Sequence, residues 1–100
     1  MAYDEALVMR IRERLGDAGT KRMFGGLVFL PEGAIAVGVY GPDLLVRVGA
    51  GGVAPALARP GVRPFEMGGR PTRGFVLVAA DTLDDETLDA WIATGRQASS

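Results

Sequence analysis

The sequence predicts an α+β fold: two layers, with a mostly antiparallel five-stranded sheet and helices on one face, in the order α-βββ-α-ββ-α. Three observations predict it. Apolar residues recur at helical spacing near both ends of the chain. Between them lie apolar or alternating runs of strand length, punctuated by turns containing Gly and Pro. A chain of 100 residues is one domain with one modest core. Residues 1–100 therefore read as a single unit, with an ordered core over about 3–95. Helices at both ends of such a sheet pack in two layers.

The first helix is read from "YDEALVMRIRERLGDAG". Asp4 stands where an N-cap carboxylate accepts from the first free N–H groups, and Tyr3 and Val8 have the spacing of a hydrophobic staple. Leu7, Val8, Ile11 and Leu15 form its buried stripe, and Gly16 or Gly19 ends it. Arg10, Arg12, Glu13 and Arg14 make a solvated face. Residues 22–30 and 34–40 are expected as strands joined by a turn at Pro31–Gly33. In "RMFGGLVFL", apolar residues occupy both parities, the mark of a strand buried on both faces. Met23 and Phe24 are expected on opposite sides of it, because side chains alternate. Gly25 and Gly26 within a strand signal a bulge or a close backbone approach. "YGPDLL" turns into a third strand over 44–48. Residues 53–59 read as a short helix weakened by Pro55. Strands near 64–68 and over 73–79 follow, joined through "GGRP". The last helix has Thr82 as its cap and Asp85 completing a capping box. Its stripe is Leu88, Trp91 and Ile92, with Trp91 as the core anchor. Gly95 is expected to stop it and the tail beyond to fray.

Several chemistries lack their residues. There is no Cys and no His, which removes thiol chemistry, the commonest general base and the commonest metal ligand. The only serines are Ser99 and Ser100. A Schiff base on the lone lysine, Lys21, would need a desolvated pocket; a surface lysine at a strand start is simpler. Asp81, Asp84, Asp85, Glu86 and Asp89 lack the spacing of a calcium loop and cluster where carboxylates offset a helix dipole. "GAGGVA" over 49–54 fits G-x-G-x-x-A, but Pro55 interrupts the following helix and Glu66 comes too early for the ribose contact. No catalytic residue, cofactor or metal is expected, and the chain does not read as an enzyme. The net charge of −1 gives no global attraction to nucleic acid. Within 44–74, however, Arg47, Arg59, Arg63, Arg70 and Arg73 face only Glu66. Weak nucleic-acid association through this Arg-rich surface is the alternative reading, though without the interleaved aromatics of single-strand binders. No secretory signal and no membrane-length apolar run is visible, so a cytoplasmic protein is expected.

"KRMFGGLVFL", the hairpin into "GAIAVGVYGPDLLVRV", and "ARPGVRPFEMGGRPTRGFVLV" together carry a family signal. The chain resembles the N-terminal domain of the TfoX (Sxy) competence-regulator family, in its standalone short form. The resemblance spans about residues 3–95. Its most specific piece is Arg22 to Gly26, and Gly69 to Gly74 comes next, so Met23, Phe24, Gly25, Gly26, Gly69 and Gly74 are its structural motif. The resemblance implies an α+β domain like the secretion-chaperone fold, in a bacterial, cytoplasmic protein that is not an enzyme. Founding members are positive regulators of natural transformation, working with a transcription activator at its promoters. Longer members carry a C-terminal helical domain, before which this chain ends. The expected function is thus a regulatory or adaptor domain that binds another protein. The expected contact residues are Lys21 and Arg22 at the strand entrance, with Arg70 and Arg73 from the second hairpin. Their role is charge-complementary docking. An open sheet face or edge also suits a homodimer.

Overall fold

The computed structural model describes residues 3–99. Its sheet has six strands, all paired antiparallel, in the order β1-β2-β3-β4-β6-β5. In chain order the elements are α1 (Glu5–Leu15), β1 (Gly19–Met23), β2 (Gly26–Leu30), β3 (Val37–Tyr40), β4 (Asp43–Arg47), α2 (Val53–Leu57), β5 (Val62–Met67), β6 (Arg70–Val78) and α3 (Asp85–Ser99). The expected five strands are six because the single strand read over 22–30 is a hairpin. Met23 pairs with Gly26, and Phe24 and Gly25 between them have φ of 60° and 82°. Two successive positive φ values make a two-residue type I′ turn, whose twist matches the flanking strands. The glycine pair is therefore a turn residue followed by a strand residue, not a bulge. Apolar residues of both parities concealed the turn.

Helix α1 starts where Asp4 Oδ1 accepts from the Ala6 and Leu7 amides at 2.9 and 3.4 Å. It ends at Gly16, φ 63°. Two of its arginines are not free in solvent. Arg10 donates to Asp85 at 3.1 Å and to the Leu83 carbonyl at 2.8 Å. Arg14 donates to Asp85 at 3.0 Å and also to Asp89. The two guanidiniums tie α1 to the first turns of α3 and hold the Asp85 carboxyl below the usual carboxylate range. Pro55 does not weaken α2, because it lies in the first turn, where its missing N–H has no intrahelical partner. The cap of α3 is Asp84, not Thr82: its Oδ1 accepts from the Thr87 amide at 2.7 Å, which lowers its pKa. The Thr82 hydroxyl instead donates to the Ala79 carbonyl beside a short 3-10 turn.

Gly95 does not stop α3. The helix runs on to Ser99, so residues 96–99, expected to fray, are helical. Gly95 is buried, and a Cβ there would lie 2.3 Å from the Ala36 carbonyl oxygen. The glycine lets the helix approach the chain entering β3, a tertiary requirement that local sequence does not display.

All three helices pack on one face of the sheet. Leu7, Val8 and Ile11 of α1, Ala56 of α2, and Leu88, Trp91 and Ile92 of α3 share a core with Leu27, Phe29, Val37, Val39, Leu44, Val46, Val76 and Val78. The opposite face holds a second buried cluster: Val28, Ile35, Leu45, Phe65 and Leu77. No helix covers it. The β5–β6 hairpin bends over it instead. Four residues of β6, 72–75, intervene where β5 has only Phe65, a bulge that adds twist. Arg63 and Phe65 then reach across β6. Arg63 pairs with buried Asp43 at the start of β4, and the Phe65 ring meets Tyr40 of β3 edge-on at 5.0 Å. From the other edge of the sheet, Phe24 meets Phe65 at 5.5 Å and Phe75 at 6.3 Å. Met23 and Phe24 therefore do not divide between the two faces. Both pack on this second cluster, because the turn conformation of Phe24 returns its ring to the side of Met23.

Candidate functional site: two hairpins and a basic edge

The aromatic closure brings the turn of the β1–β2 hairpin against the β5–β6 hairpin. These hairpins carry Lys21, Arg22, Arg70 and Arg73. All four side chains are exposed. Among the described residues, none has a carboxylate within ion-pair distance, whereas Arg10, Arg14, Arg63 and Arg96 do. Lys21 and Arg22 do not form one patch on one face. Lys21 pairs across from Val28, which faces the second cluster, and Arg22 from Leu27, which faces the helices. They flank the open edge of β1, one above and one below. Arg22 also lines a shallow hollow of about 300 Å³ with Tyr3 and the turn residues Met23, Phe24, Gly25 and Gly26. Arg70 pairs with Met67 at the tip of the other hairpin, next to the Gly68–Gly69 turn. Gly74 lies on the bulged part of β6, its Cα side turned to the Gly49 backbone.

The two outer strands differ. Four of five β1 residues are exposed, and the strand contains no proline. β5 carries Pro64, which has no N–H to offer a further strand, and its register breaks between Pro64 and Glu66. Proline and bulges are the usual means of blunting a sheet edge. β1 is thus the edge left able to pair.

The remaining arginines of the basic middle are engaged within the fold. Arg47 lies over Phe75 at 5.1 Å and donates to the Ile35 carbonyl at 2.6 Å. Arg59 lies over Trp91 at 4.0 Å, and Arg63 holds Asp43. These partners are distant in sequence, so composition alone made the five arginines look equivalent. The glycine-rich segment 49–54 forms a short 3-10 turn leading into a five-residue helix. In an antiparallel sheet it has no βαβ unit around it. Among the described residues, no three His, Cys, Asp or Glu side chains are grouped to hold a metal ion. No helix there is long and apolar enough to cross a membrane.

Residues 10–99 match the family model described as the TfoX N-terminal domain. No curated protein and no solved structure matches the chain.

Proposed function

The chain belongs to the TfoX N-terminal domain family, and from that premise we propose that it acts as a non-enzymatic regulatory or adaptor domain. It docks an acidic, extended segment of a protein partner along β1. The observation that carries this reading is the open β1 edge with uncompensated Lys21 and Arg22 on either side of it. Added strands gain affinity from main-chain hydrogen bonds and specificity from alternating side chains. An incoming strand with acidic residues at neighbouring positions would meet one cation on each face. Arg70 and Arg73, on the hairpin that packs on Phe24, extend the positive field toward the approaching partner and raise the association rate.

A second copy of the chain fits this edge poorly in one register. In an antiparallel pairing of two β1 strands along their whole length, Lys21 would face Lys21, and like charges directly opposite are destabilising. The setting we propose is the cytoplasm and the regulation of transcription, in keeping with the family.

Affinity capture from nuclease-treated cell extract, with wild type and Lys21→Ala/Arg22→Ala side by side, tests the reading. A protein held by the wild type and released by the double variant is the expected result. Loss of all bound material after nuclease would point to the Arg-rich surface and nucleic acid instead, which a steep salt dependence of DNA binding would corroborate.

A further inference from the structure

On the helical side of the domain, α2 and α3 flank an open hollow of about 240 Å³ lined mainly by Val48, Pro55, Ala56, Arg59, Trp91 and Thr94. A second hollow of about 260 Å³ opens beside it, and Arg59 and Trp91 line both. The Arg59 guanidinium stands 4.0 Å from the centre of the indole. Trp91 is only 2% exposed, while Arg59 is exposed. The guanidinium therefore covers the indole from the solvent side. Among the described residues no carboxylate pairs with it. The nearby hydroxyls are occupied within their own segments: Thr94 donates to the Ala90 carbonyl and Thr82 to the Ala79 carbonyl. Stacking on the indole uses only the face of the guanidinium. Its N–H edge stays free and has the fork geometry that matches a carboxylate.

We propose that this hollow binds a small monocarboxylate with an apolar, aromatic body. The carboxylate takes the edge of Arg59, and the ring lies against Pro55 and Val48, beside the indole that the guanidinium covers. One guanidinium without a second cation suits a single negative charge rather than a phosphate. The volume lies below the ~300–1,000 Å³ of pockets that hold drug-sized ligands, which restricts the site to a compact one. This site is separate from the β1 edge, and its existence does not depend on the docking reading.

Phenylacetate is the probe. Trp91 is the only tryptophan in the chain, so its emission reports on the site, with calorimetry as an independent readout. The expected result is a saturable change with phenylacetate. Removing a charge-assisted hydrogen bond should weaken binding about tenfold or more. Phenylacetamide, which has the ring without the charge, should therefore bind at least about tenfold more weakly. Acetate, which has the charge without the ring, should do the same. Arg59→Gln should lose at least about tenfold in affinity while staying folded, its stability lowered by no more than the lost stack on Trp91 contributes. Arg59→Lys keeps the charge but not the fork, and should fall between Arg59→Gln and wild type. Absence of saturation by about 10 mM phenylacetate in both readouts would overturn the proposal. So would equal binding of the amide, equal binding of acetate, or undiminished binding by Arg59→Gln.

Discussion

Phe24 is the one described non-glycine residue with positive φ, at 60°, and a bulky side chain there is a genuine outlier. Its ring compensates through two edge-to-face contacts, to Phe65 and Phe75. Comparing Phe24→Ala with Phe24→Gly separates the two effects. Each replacement removes the ring. Each aromatic contact contributes ~0.5–1.5 kcal/mol beyond burial, and half-burial of a Phe adds ~1 kcal/mol. Phe24→Ala should therefore cost about 2–4 kcal/mol. Phe24→Gly loses the same packing but relieves the left-handed strain, worth ~1 kcal/mol. The glycine variant should thus be the more stable of the two, by ~1 kcal/mol. In a domain of this size that is a melting difference of ~4–8 °C. Urea unfolding followed by Trp91 emission measures both quantities. An alanine variant as stable as the glycine variant would refute the turn conformation. A cost below ~1 kcal/mol for Phe24→Ala would refute the aromatic closure of the second face.

Three further outcomes follow from the same structure. Gly95→Ala should destabilise by ~1–3 kcal/mol, because overpacking against the Ala36 carbonyl exceeds the ~1 kcal/mol gained in helix propensity; a raised melting temperature would show that α3 stands farther from β3. A Cβ at Gly26 would lie 2.2 Å from the Val39 carbonyl oxygen, so Gly26→Val should prise β2 from β3 and cost a comparable ~1–3 kcal/mol, read as a lower urea midpoint. Asp84 and Asp85 have folded pKa values below their ordinary ones. The stability they supply is present above the unfolded value near 3.9 and is lost as pH falls through the folded values. The melting temperature should consequently drop on acidification below about pH 4, and less steeply in Asp85→Asn, which cannot titrate against Arg10 and Arg14; an unchanged acid limb in that variant would contradict the α1–α3 clamp.

What was legible in the sequence was local. Asp4 and the Leu7, Val8, Ile11 stripe are set by neighbours within a turn or two, and α1 follows them. The turn at Phe24–Gly25 was not legible, because type I′ turns favour Asn or Gly at the first position and Phe reads as strand. Its position is fixed by Phe65 and Phe75, which lie far along the chain. Gly95 failed as a stop signal for the same kind of reason: its constraint comes from Ala36, not from the helix. Thr82 and Asp84 both suit a cap, and only the preceding 3-10 turn decides between them. For the candidate site, the residue types Lys21, Arg22, Arg70 and Arg73 were readable, but their arrangement was not. Alternation on β1 places its two cations on opposite sides of an edge rather than in one patch. The Arg59–Trp91 stack left no sequence signal, since each residue alone looks ordinary.

The most direct test of the docking account is amide hydrogen exchange on the complex with the captured protein partner. If the partner adds a strand at the open edge, amides of β1, Gly19–Met23, should become protected, while those of β5, Val62–Met67, should keep the exchange of the free domain. The Lys21→Ala/Arg22→Ala variant, whose stability should match wild type within ~0.5 kcal/mol, should show no such protection at the same partner concentration. Protection confined to β5 or to the helices, with β1 exchanging as in the free protein, would contradict the account.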